Sequence, residues 1–100
     1  MEKKLKVKWV KALRSGKYMQ ARRTLETRDG AMCCLGVLAT IQGCDLKEHK
    51  AKTGFNLKTA TLPRGFNAGL SETMRNKLAG MNDKKSSSFA KIADYIAAKL

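Results

Sequence analysis

One segment constrains the fold more than any other. Residues 32–41, MCCLGVLATI, carry no charge, and Leu35, Leu38 and Ile41 recur at three-residue spacing with Val37 and Ala39 between them. The run is far short of the ~20 apolar residues that span a bilayer. Its spacing is helical, not alternating. It predicts a buried helix over about residues 34–42, closed by Gly43.

The flanking segments are amphipathic. Residues 3–15 read as a first helix, with Leu5, Trp9, Ala12 and Leu13 on one side, Val10 beside them and Gly16 at the end. Lys4, Lys8 and Lys11 follow i, i+4, i+7 and share the opposite face, with Arg14 close by. Ser71 is a candidate N-cap for a helix carrying Met74, Leu78 and Met81. Asn82-Asp83-Lys84-Lys85 breaks that pattern. Ser87 or Ser88 caps a last helix whose apolar residues are Phe89, Ile92, Ala93, Ile96 and Leu100, with Lys99 in a final turn that suits the helix dipole.

Residues 23–35 read as a β-hairpin. Asp29-Gly30 is a two-residue turn signal, because both positions tolerate the positive φ of a type I′ turn. That register pairs Thr27 with Met32 and Leu25 with Cys34. Residues 44–70 carry little periodicity, and Leu57, Ala60 and Leu62 suggest a short strand before Pro63. The expected fold class is therefore α+β: one small domain over residues 1–100 with an N-terminal basic helix, a hairpin, a buried helix and two C-terminal helices. The expected core is Leu5, Trp9, Leu13, Leu25, Cys34, Leu35, Leu38, Met74, Leu78, Phe89, Ile92 and Ile96.

Charge points to function. Twenty-one Lys and Arg against eight Asp and Glu leave a formal charge of +13 on 100 residues. Residues 1–30 hold ten basic and three acidic groups and are the electrostatic centre. Such a balance excludes an acidic, nucleic-acid-mimicking surface and opposes self-association at low salt. MEKKLKVKWV is too polar for a signal peptide. Three cysteines, an odd number, fit a reducing compartment, so a cytoplasmic location is expected.

Catalytic and metal chemistry find little support. A zinc site would need Cys33, Cys34, Cys44 and His49 together, and adjacent cysteines lack CxxC spacing. Cys33 and Cys34 lie near a helix N-terminus, which favours a reactive thiolate, but LGVL follows at once and favours burial. Strand alternation turns Cys34 inward with Leu25, leaves Cys33 facing outward unless the helix starts earlier, and makes Cys44 the most reactive thiol. His49 sits in the solvated KEHKAK stretch, and no phosphate-cradling GxxxxGK[ST] motif occurs. Neither an enzyme activity nor a cofactor is expected. The terminal SFAKIADYIAAKL segment resembles part of a helix-turn-helix, but as a recognition helix it would offer only Lys91, Asp94 and Lys99 to bases. A packing role is favoured.

The order WVKALRSGKYMQ, ARRTLET, MCCLGVL, LAGMND and SFAKIADYI resembles a group of small proteins encoded by tailed bacteriophages and prophages. In that group a W-x₂-ALRSG-x-Y-x-Q segment precedes a polar hairpin and CCLGVL, and an LND…SF-x-x-IAD-x-I segment follows. The resemblance is weakest over residues 44–68. Relatives usually continue CCLGVLC where this chain has Ala39. The resemblance implies a phage source and a shared fold, and brings no activity with it.

The expected function is thus a small non-enzymatic phage accessory protein in the cytoplasm of an infected bacterium. It would bind DNA or RNA, largely without sequence preference, through Lys4, Lys8, Lys11, Arg14, Lys17, Tyr18, Arg22, Arg23 and Arg28. Trp9 lies in the apolar stripe and belongs to the core, whereas Tyr18 could stack on a base. The alternative is an inhibitor of a host or anti-phage defence complex, in the manner of anti-CRISPR proteins. It would act by protein–protein contact, with Tyr18, Arg22, Arg23, Phe55 and Phe66 as anchors.

Overall fold

The computed structural model describes residues 1–100. It contains α1 (Lys3–Arg14), α2 (Cys34–Ile41), α3 (Leu46–Thr53), α4 (Glu72–Asp83) and α5 (Phe89–Lys99). The uncharged run forms α2, and its residues from Cys34 to Ala39 are all buried. α1, α3 and α4 pack around α2, and α5 closes the bundle against α1 and α4. Trp9, Leu25, Leu35, Leu38, Leu78, Ile92 and Ile96 are fully buried, each stabilising the fold by up to ~3 kcal/mol of removed apolar surface. Leu5 and Met74, both expected in the core, are only partly buried at its edge.

The fold is all-helical, so the α+β expectation is corrected. No sheet forms, and the hairpin expected over residues 23–35 is reduced to a turn and isolated bridges. The turn itself exists, one residue longer than the two-residue reading. Thr27 donates its N–H to Ala31 O at 2.7 Å, and Gly30 donates to Thr27 O at 3.0 Å. Glu26, not Thr27, then stands opposite Met32. The ladder cannot extend because Met32 is engaged elsewhere. Its N–H bonds Met19 O at 2.9 Å, and its carbonyl accepts from Ala21 N–H at 2.7 Å. One residue later Cys33 takes the N-cap of α2, and its Sγ accepts from the Gly36 N–H.

The expected short strand at Leu57–Leu62 is also absent; that stretch is a series of bends. α3 is an element the apolar periodicity missed. Its signature was local: Asp45 accepts from the Glu48 N–H at 3.0 Å, and Gly54 ends the helix at φ +73°.

α2 meets residue 25 at close range. A Cβ built on Gly36 would lie 2.0 Å from the Leu25 carbonyl oxygen. That carbonyl accepts from Cys33 N–H at 3.3 Å, while Leu25 N–H bonds Leu57 O at 2.8 Å. The irregular segment 19–26 is thereby seated across the N-terminal half of α2. The other clamp is Asn82, a fully buried polar residue in the last turn of α4. Its Nδ2 donates to Ala21 O at 2.7 Å. Its Oδ1 accepts from Cys34 N–H at 3.1 Å and from Gln20 Nε2 at 3.2 Å.

Candidate nucleic-acid interface

α1 sets the geometry of the basic surface. Leu13 and Trp9 anchor one side, and the Trp9 Nε1–H donates to Cys34 O at 2.9 Å. That contact places Trp9 in the core and removes it from any stacking role. With this side fixed inward, Lys4, Lys8 and Lys11 are exposed on the other. Lys3 is exposed with them and was not singled out, because the i, i+4, i+7 row is narrower than the whole solvent arc of the helix.

The remaining candidates are distributed. The Lys8 ammonium is 3.1 Å from Ile41 O, where it meets the negative end of α2. Arg14 is turned to α5 and pairs with Asp94 at 2.7 Å, both side chains largely exposed. Lys17 lies 5.8 Å from the centre of the half-buried Tyr18 ring. The Arg22 guanidinium donates to Lys85 O at 3.2 Å. Arg23 holds a left-handed φ of +64°, and its backbone N–H donates to Asp83 Oδ1 at 2.8 Å. Arg22 and Arg23 therefore stand beside Lys84 and Lys85 at the α4–α5 turn. Arg28 lies near α3, its carbonyl accepting from Lys47 Nζ at 2.9 Å. The structure joins Lys4, Lys8 and Lys11 on one rigid face. It sends Arg22 and Arg23 to a second cluster and Arg28 to a third place.

Few of these charges are compensated. Across the chain only Arg14, Lys47 and Lys52 have a carboxylate within 4 Å, from Asp94, Glu26 and Glu48 respectively. Glu26 is mostly buried, and desolvation raises its pKa despite Lys47 at 3.8 Å.

The thiols are not poised for chemistry. Cys33, Cys34 and Cys44 are all buried and free, and burial raises the pKa of each, most for Cys34. Cys33 faces inward because it caps α2, against the alternation expected of a strand. No three His, Cys, Asp or Glu side chains gather to hold a metal. His49 packs edge-on against Phe55, ring centres 5.2 Å apart. α5 buries Phe89, Ile92, Ala93 and Ile96. No helix is long and apolar enough to cross a membrane.

A family model described as a domain of unknown function (DUF8296) matches residues 1–66, which carry α1, α2 and α3. No curated protein and no solved structure matches the chain.

Proposed function

The chain belongs to the DUF8296 domain family, which brings no activity with it, and we propose a function from its surface. The protein is a small non-enzymatic phage accessory protein of the bacterial cytoplasm that contacts the nucleic-acid backbone through α1, largely independent of sequence. The observation that carries this reading is the row Lys4, Lys8 and Lys11 on one exposed helix face, none of them with a carboxylate within 4 Å. From Lys4 to Lys11 the helix axis advances ~10 Å. Duplex DNA presents about six phosphate charges over that length. Three ammonium groups on flexible stems can meet them without reading bases. Arg22, Arg23, Lys84 and Lys85 offer a second basic cluster for a longer contact.

Titration of a labelled random-sequence 20-base-pair duplex, and of a single-stranded RNA of equal length, tests the reading at several salt concentrations. Binding at low salt with an affinity that falls steeply as salt rises supports it. Absence of binding to both at low salt, or binding indifferent to salt, overturns it.

A further inference from the structure

A second surface lies beside the lysine row. Val7 stands in the middle of α1 with 58% of its surface exposed, on the side that α1 turns toward Ala97 of α5. Lys3, Val7, Val10 and Arg14 follow i, i+4, i+7, i+11, the spacing of a seam that meets another helix. Val7 and Val10 floor an open groove of about 640 Å³ between α1 and α5. Ala97 of α5 is its far wall, and Lys6, Lys11 and Arg14 stand around it. Asp94, the carboxylate bonded to Arg14, is the only acid held at this edge by an ion pair.

We propose that this groove is a docking site for an acidic amphipathic helix of a partner protein. Aliphatic side chains of the partner would cover Val7, above the buried Val10, and its carboxylates would meet Lys6, Lys11 and Arg14. The small Ala97 lets a second helix approach closely. Charge complementarity selects this occupant. A second copy of a chain of charge +13 would meet a cationic rim with its own excess of cations. Nucleic acid gains nothing from an aliphatic floor without an aromatic ring to stack on. A membrane surface would need the apolar side of α1 free, and Trp9 and Leu13 are buried in the core. The groove shares Lys11 with the lysine row, so Val7 on this side and Lys4 on the other are the positions that separate the two contacts.

The test is selection of a display library of 18-residue helical peptides on the full-length protein, followed by titration of the selected peptides against variants. Val7→Gln keeps the charge and alters an exposed position, so an unchanged thermal melt confirms its fold. The expected result is enrichment of acidic sequences with aliphatic residues at i, i+3 or i+4, and i+7. Their affinity falls at least tenfold in Val7→Gln and severalfold in Arg14→Gln, while duplex DNA binding is unchanged in Val7→Gln. Lys4→Gln should do the reverse, lowering DNA binding and sparing the peptides. No enrichment, or enriched peptides that bind Val7→Gln as well as wild type, would overturn the proposal. So would binding to anionic phospholipid vesicles that Val7→Gln abolishes.

Discussion

Replacing Asn82 by leucine should unfold much of what holds segment 19–26 against the helices. The substitution is close in volume and deletes three hydrogen bonds, two of them buried. Gln20 keeps a partner, because its Nε2 also donates to Ser87 O at 2.9 Å. The Cys34 N–H and the Ala21 carbonyl lose the Asn82 side chain, in surroundings where water does not reach Asn82 itself. Each buried group left without a partner costs ~1–3 kcal/mol, so the total is about 3 kcal/mol after the apolar gain of leucine. For a domain of this size that corresponds to a Tm lower by at least ~12 °C. Thermal and urea unfolding followed by fluorescence of Trp9, the single tryptophan, measures it directly. A second variant sharpens the test. Asn82→Asp keeps an acceptor for Cys34 N–H but sets an oxygen against Ala21 O unless the new carboxyl is protonated. Burial raises that carboxyl's pKa above its unfolded value, so the folded state binds the proton more tightly. Stability is then present below ~pH 4 and lost as pH rises through the folded pKa. Asn82→Asp should therefore lie closer to wild type at pH 4 than at pH 7, while Asn82→Leu shows no such trend. A loss under ~1 kcal/mol for Asn82→Leu would refute the reasoning.

Three further outcomes follow from the same packing. Gly36→Ala, which in an exposed helix gains up to ~1 kcal/mol, should instead destabilise by ~3 kcal/mol or abolish folding, because the new methyl meets the Leu25 carbonyl; a rise in Tm would contradict the close approach. Thiol labelling should proceed in the order Cys44, Cys33, Cys34, with Cys34 reacting only through unfolding. Because burial raises the folded pKa of each thiol above its ordinary value, stability holds below the ordinary thiol pKa and declines as pH rises past it, which urea melts at pH 8 and pH 10 can check. Glu26→Gln should be neutral or slightly stabilising at pH 7, since burial disfavours the Glu26 carboxylate more than Lys47 favours it, and any gain should shrink toward pH 4; a clear loss at pH 7 would show that the Lys47 contact dominates.

Helices α1, α2, α4 and α5 were legible because their apolar residues recur with a helical period that burial then confirms. The hairpin was misread because a turn signal speaks only for its own few residues. Asp29-Gly30 does mark a turn, but whether strands extend from it depended on Met32, and Met32 bonds a segment twelve residues upstream. That pairing leaves no local trace. α3 was missed for the opposite reason, having caps but only Leu46 buried, hence no apolar period. Asn82 looked like a breaker because a polar residue at a core position has meaning only through its distant partners Ala21 and Cys34. For the candidate site, the lysine row of α1 could be read from spacing, whereas the separation of Arg22, Arg23 and Arg28 from it depends on where the irregular segment is seated. The α1–α5 groove was invisible, since Val10 was counted with the apolar side and the exposure of Val7 arises from the position of α5.

The central claim, that the exposed lysines of α1 carry phosphate contacts, is tested most directly by comparing salt slopes. The duplex affinity of wild type, of Lys4→Gln/Lys11→Gln and of Lys50→Gln/Lys52→Gln is measured over a range of salt. Both variants lose two charges, and α3, which holds the second pair, packs on α2 rather than beside α1. Each lost phosphate contact flattens the slope of log K against log salt by ~0.9. The account predicts a slope flatter by about 1.8 for the α1 pair and an unchanged slope for the α3 pair. Equal slopes for the two variants would contradict it, because the binding would then follow net charge and not the face of α1.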